Sequence, residues 1–268
     1  ILQSCNGLLL CCCSCKNQPE PNYYVYNPAT KQHTVLPPCA SSSAHILDVC
    51  LAFDPSKSLT TSLCVKASNT SGAPFALPFD IQFKNAVFWN GAVHWIGDWS
   101  DSVSFDVDNE QIRVMPIPLI PEEWSERRFR YFGESRGHLH LVEIYGSLTI
   151  QFCVYEMERD YSGWFPKYQV DLSSVVAPYP EMRMKRLNPM HLHYYSFSIL
   201  CIVEEEDDEK SYLVLHIPKK VIRYNFKDRS FKMLHDFCPP QSSISKDPNS
   251  LQFQCFDAYQ FIPALACV

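Results

Sequence analysis

Asn90-Gly91-Ala92-Val93-His94-Trp95, then Val103-Ser104-Phe105-Asp106, then Ile112-Arg113-Val114-Met115-Pro116: this stretch decides the fold. A glycine-opened apolar run leads to a second run that ends in an aromatic and an Asp. After a short polar turn, a third run ends at Met-Pro. Runs this short, rich in Val, Ile and aromatics and punctuated by Asn, Asp and Gly, read as strands joined by tight turns.

The pattern recurs. Asn6-Gly7-Leu8-Leu9-Leu10 opens a copy that continues through Tyr23-Tyr24-Val25-Tyr26-Asn27-Pro28 to Thr34-Val35-Leu36-Pro37. Arg136-Gly137-His138-Leu139-His140-Leu141 opens another, which reaches Phe152-Cys153-Val154-Tyr155-Glu156. A late copy reads as the second half alone: Val221-Ile222-Arg223-Tyr224-Asn225, then Phe231-Lys232-Met233-Leu234. From Gly91 to Gly137 is 46 residues, and from Gly7 to Gly91 is 84, or two units of 42. A degraded unit is therefore expected between about residues 39 and 84. Val49-Cys50-Leu51-Ala52-Phe53-Asp54-Pro55 and Ser62-Leu63-Cys64-Val65-Lys66 supply two of its strands, and Ala67 to Pro78 reads as loop. A period of this length with three or four strands per unit predicts an all-β fold, a β-propeller of about six blades with an incomplete second blade. One domain spans residues 1–268, and the strands from Phe253 to Val268 are expected to pair with the first unit. Glu122 to Arg130 is expected to form one helical turn at most.

Composition narrows the function. The chain has 268 residues, 46% of them hydrophobic and 13% aromatic, with a net charge of −6 and a pI near 5.8. That balance disfavours nucleic acid, which requires a concentrated positive field. The basic run Arg127-Arg128-Phe129-Arg130 is too short to reverse it. No run of about 18 apolar residues is present to span a membrane. The 13 cysteines are odd in number, and many sit inside apolar strand runs. They read as reduced, buried thiols of a cytoplasmic or nuclear protein. Ile1, in place of Met, reads as the start of a piece of a longer protein.

Chemistry-bearing constellations are sparse. Cys11-Cys12-Cys13-Ser14-Cys15 lacks the second ligand pair that a structural zinc site needs. His138-Leu139-His140 and His191-Leu192-His193 place two imidazoles on one face of a strand, a metal half-site, yet no carboxylate lies at matched spacing. No nucleophile elbow, phosphate loop, dinucleotide fingerprint or metalloprotease motif occurs. The acidic run Glu204 to Glu209 reads as a solvated hairpin tip. No catalytic residue, metal or cofactor is expected. Trp99, Trp124, Arg127, Arg128 and Tyr161 are the candidates for contact with a partner, because aromatics and arginines in loops anchor protein interfaces. Trp164 reads as packing within the scaffold.

A family resemblance then becomes visible. Ser4-Cys5-Asn6-Gly7-Leu8-Leu9-Leu10-Cys11 with Tyr26-Asn27-Pro28-Ala29-Thr30 and Leu36-Pro37-Pro38 resembles the opening of the F-box-associated domain of plant F-box proteins. The likeness continues in Phe88-Trp89-Asn90-Gly91-Ala92-Val93-His94-Trp95, Tyr131-Phe132-Gly133-Glu134-Ser135-Arg136-Gly137 and Tyr212-Leu213-Val214-Leu215-His216-Ile217-Pro218. It reaches the terminus at Ala264-Leu265-Ala266-Cys267-Val268.

The resemblance implies a kelch-like propeller that recruits proteins for ubiquitination as the substrate receptor of an SCF-type ligase. An N-terminal F-box, absent from this sequence, would bind the Skp-type adaptor. Lys219-Lys220 stands where that family uses a Pro-Gly turn, and the second unit is shorter than usual. The alternatives left open are an enzyme on a propeller scaffold, such as a glycan hydrolase, and a truncated, nonfunctional relative.

Overall fold

The computed structural model describes residues 1–13, 21–37, 46–57, 62–68, 86–97, 102–118, 127–145, 150–191, 193–237, 251, 257–260 and 263. These form two compact units, Ile1–Pro116 with Tyr259–Val268, and Ile117–Ala258. Both are built from small antiparallel meanders of the kind that make propeller blades.

In the first unit, β1 (Gln3–Cys5), β2 (Leu8–Cys13), β3 (Asn22–Asn27) and β4 (Gln32–Val35) form one four-stranded sheet. A two-stranded sheet follows, β5 (Ile46–Phe53) with β6 (Ser62–Ser68). Next come β7 (Val87–Trp89), β8 (Ala92–Trp95), β9 (Ser102–Asp106) and β10 (Gln111–Met115) as a second four-stranded sheet. The second unit holds β11 (Arg127–Ser135), β12 (His138–Tyr145), β13 (Gln151–Met157) and β14 (Trp164–Asp171), then β15 (Ser198–Val203), β16 (Tyr212–Ile217), β17 (Lys220–Asn225) and β18 (Phe231–Asp236). One short helix, α1 (Ser173–Val176), and two 3-10 turns are the helical content among the described residues.

The repeated motifs are turns, and their geometry explains their residues. Asn6-Gly7, Asn90-Gly91 and Arg136-Gly137 each join the first strand of a blade to its second. Both residues of each pair have positive φ, 46° and 88°, 50° and 75°, and 52° and 78°. That is the two-residue turn whose twist matches the flanking strands, and a Gly removes the Cβ penalty at its second position. The aromatic-Asn/Asp ending is a second turn, between the third and fourth strands. The Asn27 Oδ1 accepts from Ala29 N (2.9 Å) and Thr30 N (3.4 Å). Asp106 does the same for Asp108 N and Asn109 N (3.2 and 3.1 Å). Asn225 serves Lys227 N and Asp228 N (2.9 and 3.1 Å). A short side-chain carbonyl or carboxylate at this point replaces the next ladder partner.

Burial follows the strand period of two. In β5, Val49, Leu51 and Phe53 pack with Leu8, Leu10 and Val25 on one side. Cys50 and Ala52 pack with Val93, Trp95, Val103 and Phe105 on the other. The strand is thus buried on both faces, between the two four-stranded sheets of its unit. The second unit has one continuous core, in which Val142, Val154 and Val170 meet Ile199, Leu213, Leu215 and Ile222.

The structure corrects three expectations. The described residues contain four four-stranded blades and one two-stranded sheet, where about six blades were expected. Dividing length by a repeat period assigned to blades what is spent on connectors, such as residues 172–197. The late copy is also complete, since β15 and β16 precede its visible half. Its first half carries no glycine signature, because the residues between β15 and β16, including a 3-10 turn at Asp208–Lys210, replace the two-residue glycine turn. Finally, Arg127 to Arg130 lie in β11 and are not helical. The second unit of the repeat shows two strands, and residues 69–85 lie outside the described set. So does most of the segment expected to pair with the first unit, although the Tyr259 hydroxyl donates to the Ile1 carbonyl at 2.9 Å.

Candidate functional site

One joint in each unit is made by the same device. In the first unit, Gln3 on β1 faces the backbone of β5. Its Nε2 donates to Leu51 O (3.1 Å), and its Oε1 accepts from Leu51 N (2.6 Å). Two residues on, the Cys5 thiol accepts from Phe53 N (3.4 Å) and donates to Phe53 O (3.6 Å). In the second unit, Tyr131 and Ser135 on β11 do the same for β15 and the residue after it. The Tyr131 hydroxyl accepts from Ile202 N (3.3 Å) and the Ser135 hydroxyl from Glu204 N (2.9 Å). At these two joints the inner edges of β5 and β15 have no ladder partner, and side chains of the preceding blade satisfy them.

At the second joint an ionic cluster is added. His138 and His140 lie on one face of β12, and Glu156 on β13 stands opposite His140 in register. Lys167 on β14 is the extra residue of a bulge, because Tyr155 pairs with Pro166 and Val154 with Tyr168. A bulge re-aims its residues, and here both Lys167 and Tyr168 turn toward Glu204. Glu204 itself follows β15. The Nε2 of His140 lies 2.9 Å from its Oε1, and Lys167 bridges it to Glu156, whose Oε2 is 2.6 Å from the ammonium. His138 Nδ1 is 2.6 Å from Glu156 Oε1, and its Nε2 is 3.6 Å from Glu204.

The electrostatics fix both charges. Burial disfavours the Glu204 carboxylate, but hydrogen bonds from His140 and Lys167 outweigh it and bring its pKa down to about 2. Burial likewise opposes the Lys167 ammonium, and its bonds to Glu156 and Glu204 raise its pKa in spite of that. His138, Glu156 and Glu204 offer ligand atoms within 4.8 Å of one another, which is a spacing a metal ion could use. The Lys167 ammonium already sits between the two carboxylates, so a covalently attached cation compensates them.

Sequence spacing concealed this cluster. The carboxylates matched to His138 and His140 come from 18 and 64 residues away. The acidic run departs from a solvated tip at its first member. Glu204 is buried, whereas Glu205 to Glu209 are exposed. Its place immediately after an apolar strand run is the one sequence feature that sets Glu204 apart from the rest of the acidic run.

Tyr161 occupies the turn between β13 and β14 with φ 62°, half-buried, its N–H donating to Glu158 O. Arg127 and Arg128 begin β11, Arg128 at a bulge, and their side chains lie outside the described set, as do Trp99 and Trp124. Trp164 is half-buried edge-on to Phe132 of its own sheet, with centroids 6.5 Å apart. Cys11 is buried and Cys13 is exposed. His191 and His193 lie in the exposed connector that precedes β15. Among the described residues, no helix is long and apolar enough to cross a membrane.

Comparison with known proteins completes the site's context. No protein-family model matches the chain. The Arabidopsis thaliana F-box protein At5g07610 is 37% identical to it over an alignment of 304 residues, which takes in 100% of this chain and 70% of that protein. Since 268 residues align over 304 positions, at least 36 positions of the relative have no counterpart here. Identity at this level along the entire sequence, on a framework of blade-like sheets, shows that the chain belongs to the family of plant F-box proteins.

Proposed function

We propose that residues 1–268 are the substrate-recognition domain of an SCF-type E3 ubiquitin-ligase receptor, a kelch-like propeller that holds a protein for ubiquitination. The observation that carries this reading is the 37% identity to an F-box protein across the whole chain. The domain does no bond chemistry. It raises the local concentration of its bound protein near the ligase's catalytic arm. The Skp-type adaptor is held by an F-box outside residues 1–268.

The ionic cluster supports a scaffold role. A general acid or base works with a pKa near the operating pH. Glu204 is held far below that range and Lys167 is held above its ordinary value, so both stay charged and bound to each other. Their partners lie on neighbouring strands of the joint, where they tie one blade to the next.

Co-purification of the intact protein with a Skp-type adaptor tests the reading. Stable association, with captured proteins that accumulate when the ligase is inhibited, is the expected result. Absence of adaptor association from the intact protein would sink it.

A further inference from the structure

The last strand of each four-stranded blade is a sheet edge, and on three of them that edge is blunted. β4 has four residues, none of them Lys or Arg, and ends at Pro37. β10 runs into Pro116 and Pro118, and Asp106 holds its Arg113 at 3.0 Å. β14 contains Pro166, which has no N–H to offer, and its Lys167 turns inward to the ionic joint. Short length and proline are devices that keep an edge from accepting another strand.

The edge of β18 differs. Phe231-Lys232-Met233-Leu234-His235-Asp236 contains no proline, and β17 is its one strand partner among the described residues. Asn225 N donates to Ser230 O, and Phe237 N donates to Lys219 O. Alternation from these two bonds turns the N–H and C=O groups of Lys232 and His235 toward β17, and those of Phe231, Met233 and Asp236 outward. Met233 and Leu234 are 46% and 51% exposed. A row of outward N–H and C=O groups at strand spacing is matched by another extended chain.

The side chains narrow what that chain carries. Lys232 stands directly across from Arg223 of β17, and like charges so placed repel. Arg223 lies over the Tyr212 ring, 3.8 Å from its centroid, and donates to Lys210 O (3.0 Å). Neither cation makes an ion pair among the described residues. The acids around them are engaged elsewhere. Asp236 faces Lys220, Glu209 pairs with Lys227, Asp207 pairs with Lys210, and Asp228 accepts from Ser230 N. Glu205, exposed beyond β15, pairs with neither cation. Leu234 is the extra residue of a bulge, since Met233 pairs with Ile222 and His235 with Val221. An exposed lysine and a bulge repel a bare apolar strand, but Lys232 admits a strand with a carboxylate opposite it.

We propose that the outer edge of β18 receives an extended segment of a protein partner as an added strand, with a carboxylate of that segment against Lys232 and Arg223 and an apolar side chain against Met233. Lys232 and Arg223 project from one face of the sheet, and Met233 projects from the other, beside Ile222 of the core. The received segment therefore alternates acidic and apolar residues. The proposal rests on the substrate-receptor reading and specifies the form in which the protein is held.

Fluorescence anisotropy on the purified chain tests it, with a short labelled peptide that alternates Glu and Val as the probe. Saturable binding is expected, weakened about fivefold or more by K232E. K31E, in the turn before β4, should leave it unchanged, with both variants keeping the wild-type thermal melt. In an added strand, alternate N–H groups face the protein. N-methylation of one alternate set of peptide residues should therefore abolish binding, and N-methylation of the other set should leave it. An equal effect of the two sets, unchanged binding by K232E, or no saturable binding by the wild type overturns the proposal. Adaptor association of the intact protein is measured separately. Its loss with peptide binding intact refutes the receptor reading alone, and the reverse pattern refutes the added strand alone.

Discussion

The β1–β5 and β11–β15 joints solve one problem with different chemistry. Each leaves the inner edge of a first strand without a ladder, and each covers it with side chains from the blade before. At β1–β5 the groups are neutral, the amide of Gln3 and the thiol of Cys5, within a core of Leu8, Leu10, Leu51 and Phe53. At β11–β15 the hydroxyls of Tyr131 and Ser135 are joined by two carboxylates, an ammonium and two imidazoles. Since the neutral joint performs the same mechanical task, the ionic one is explained as a joint without appeal to catalysis. A buried ion pair adds little net stability over an apolar equivalent, but removing one partner is costly.

The largest expected effect breaks the ionic joint. Lys167→Met leaves Glu156 and Glu204 facing each other in a site where Glu204's side chain is 5% exposed, and should cost roughly 3–5 kcal/mol. Adding Glu204→Gln to that variant should recover a substantial part, so urea titration of both singles and the double should give a large coupling energy. Additivity would mean that the two charges are solvated independently.

Gly133→Ala comes next. A Cβ there would lie 2.3 Å from the Tyr131 hydroxyl oxygen and 2.7 Å from its ring, so Tyr131 must leave the Ile202 N–H. The expected loss is about 1–3 kcal/mol by chemical denaturation. The neutral joint gives a comparable test. Gln3→Ala exposes no new charge but orphans both Leu51 backbone groups, at a cost of about 1–3 kcal/mol.

Acid separates the two units. Burial lowers the His94 pKa from 6.5 to about 4. Between those values the unfolded chain takes up a proton that the folded imidazole refuses, so the first unit loses stability as pH falls from 6.5 toward 4. Glu204 works in a lower window. Its contribution is complete above 4.5 and is lost as pH falls toward 2. Hydrogen exchange at pH 5 should therefore show β7–β10 loosening before β11–β18. His94→Gln should flatten the upper window only.

How much of this was legible varies by feature, for physical reasons. The turns were readable because their residues are dictated locally: positive φ at Gly7, Gly91 and Gly137, and a short side-chain acceptor at Asn27, Asp106 and Asn225. The fourth blade was half-hidden because Glu204 to Ser211 turn the chain by side-chain contacts, not by a glycine. The ionic cluster was invisible because Glu204 meets His140 only when two blades pack. The bulge that aims Lys167 leaves no mark in a period-two pattern. Blade count failed because a repeat period cannot separate blades from connectors.

On the function proposed above, the charged groups of this chain hold blades together and its surface holds a protein. The most direct test is proximity labelling by the intact protein with ubiquitin ligases inhibited, comparing the wild type with a form from which residues 1–268 are deleted. The account predicts that the deleted form still labels the Skp-type adaptor but loses the proteins that accumulate on inhibition. Retention of those proteins without residues 1–268, or loss of the adaptor with them, would contradict it.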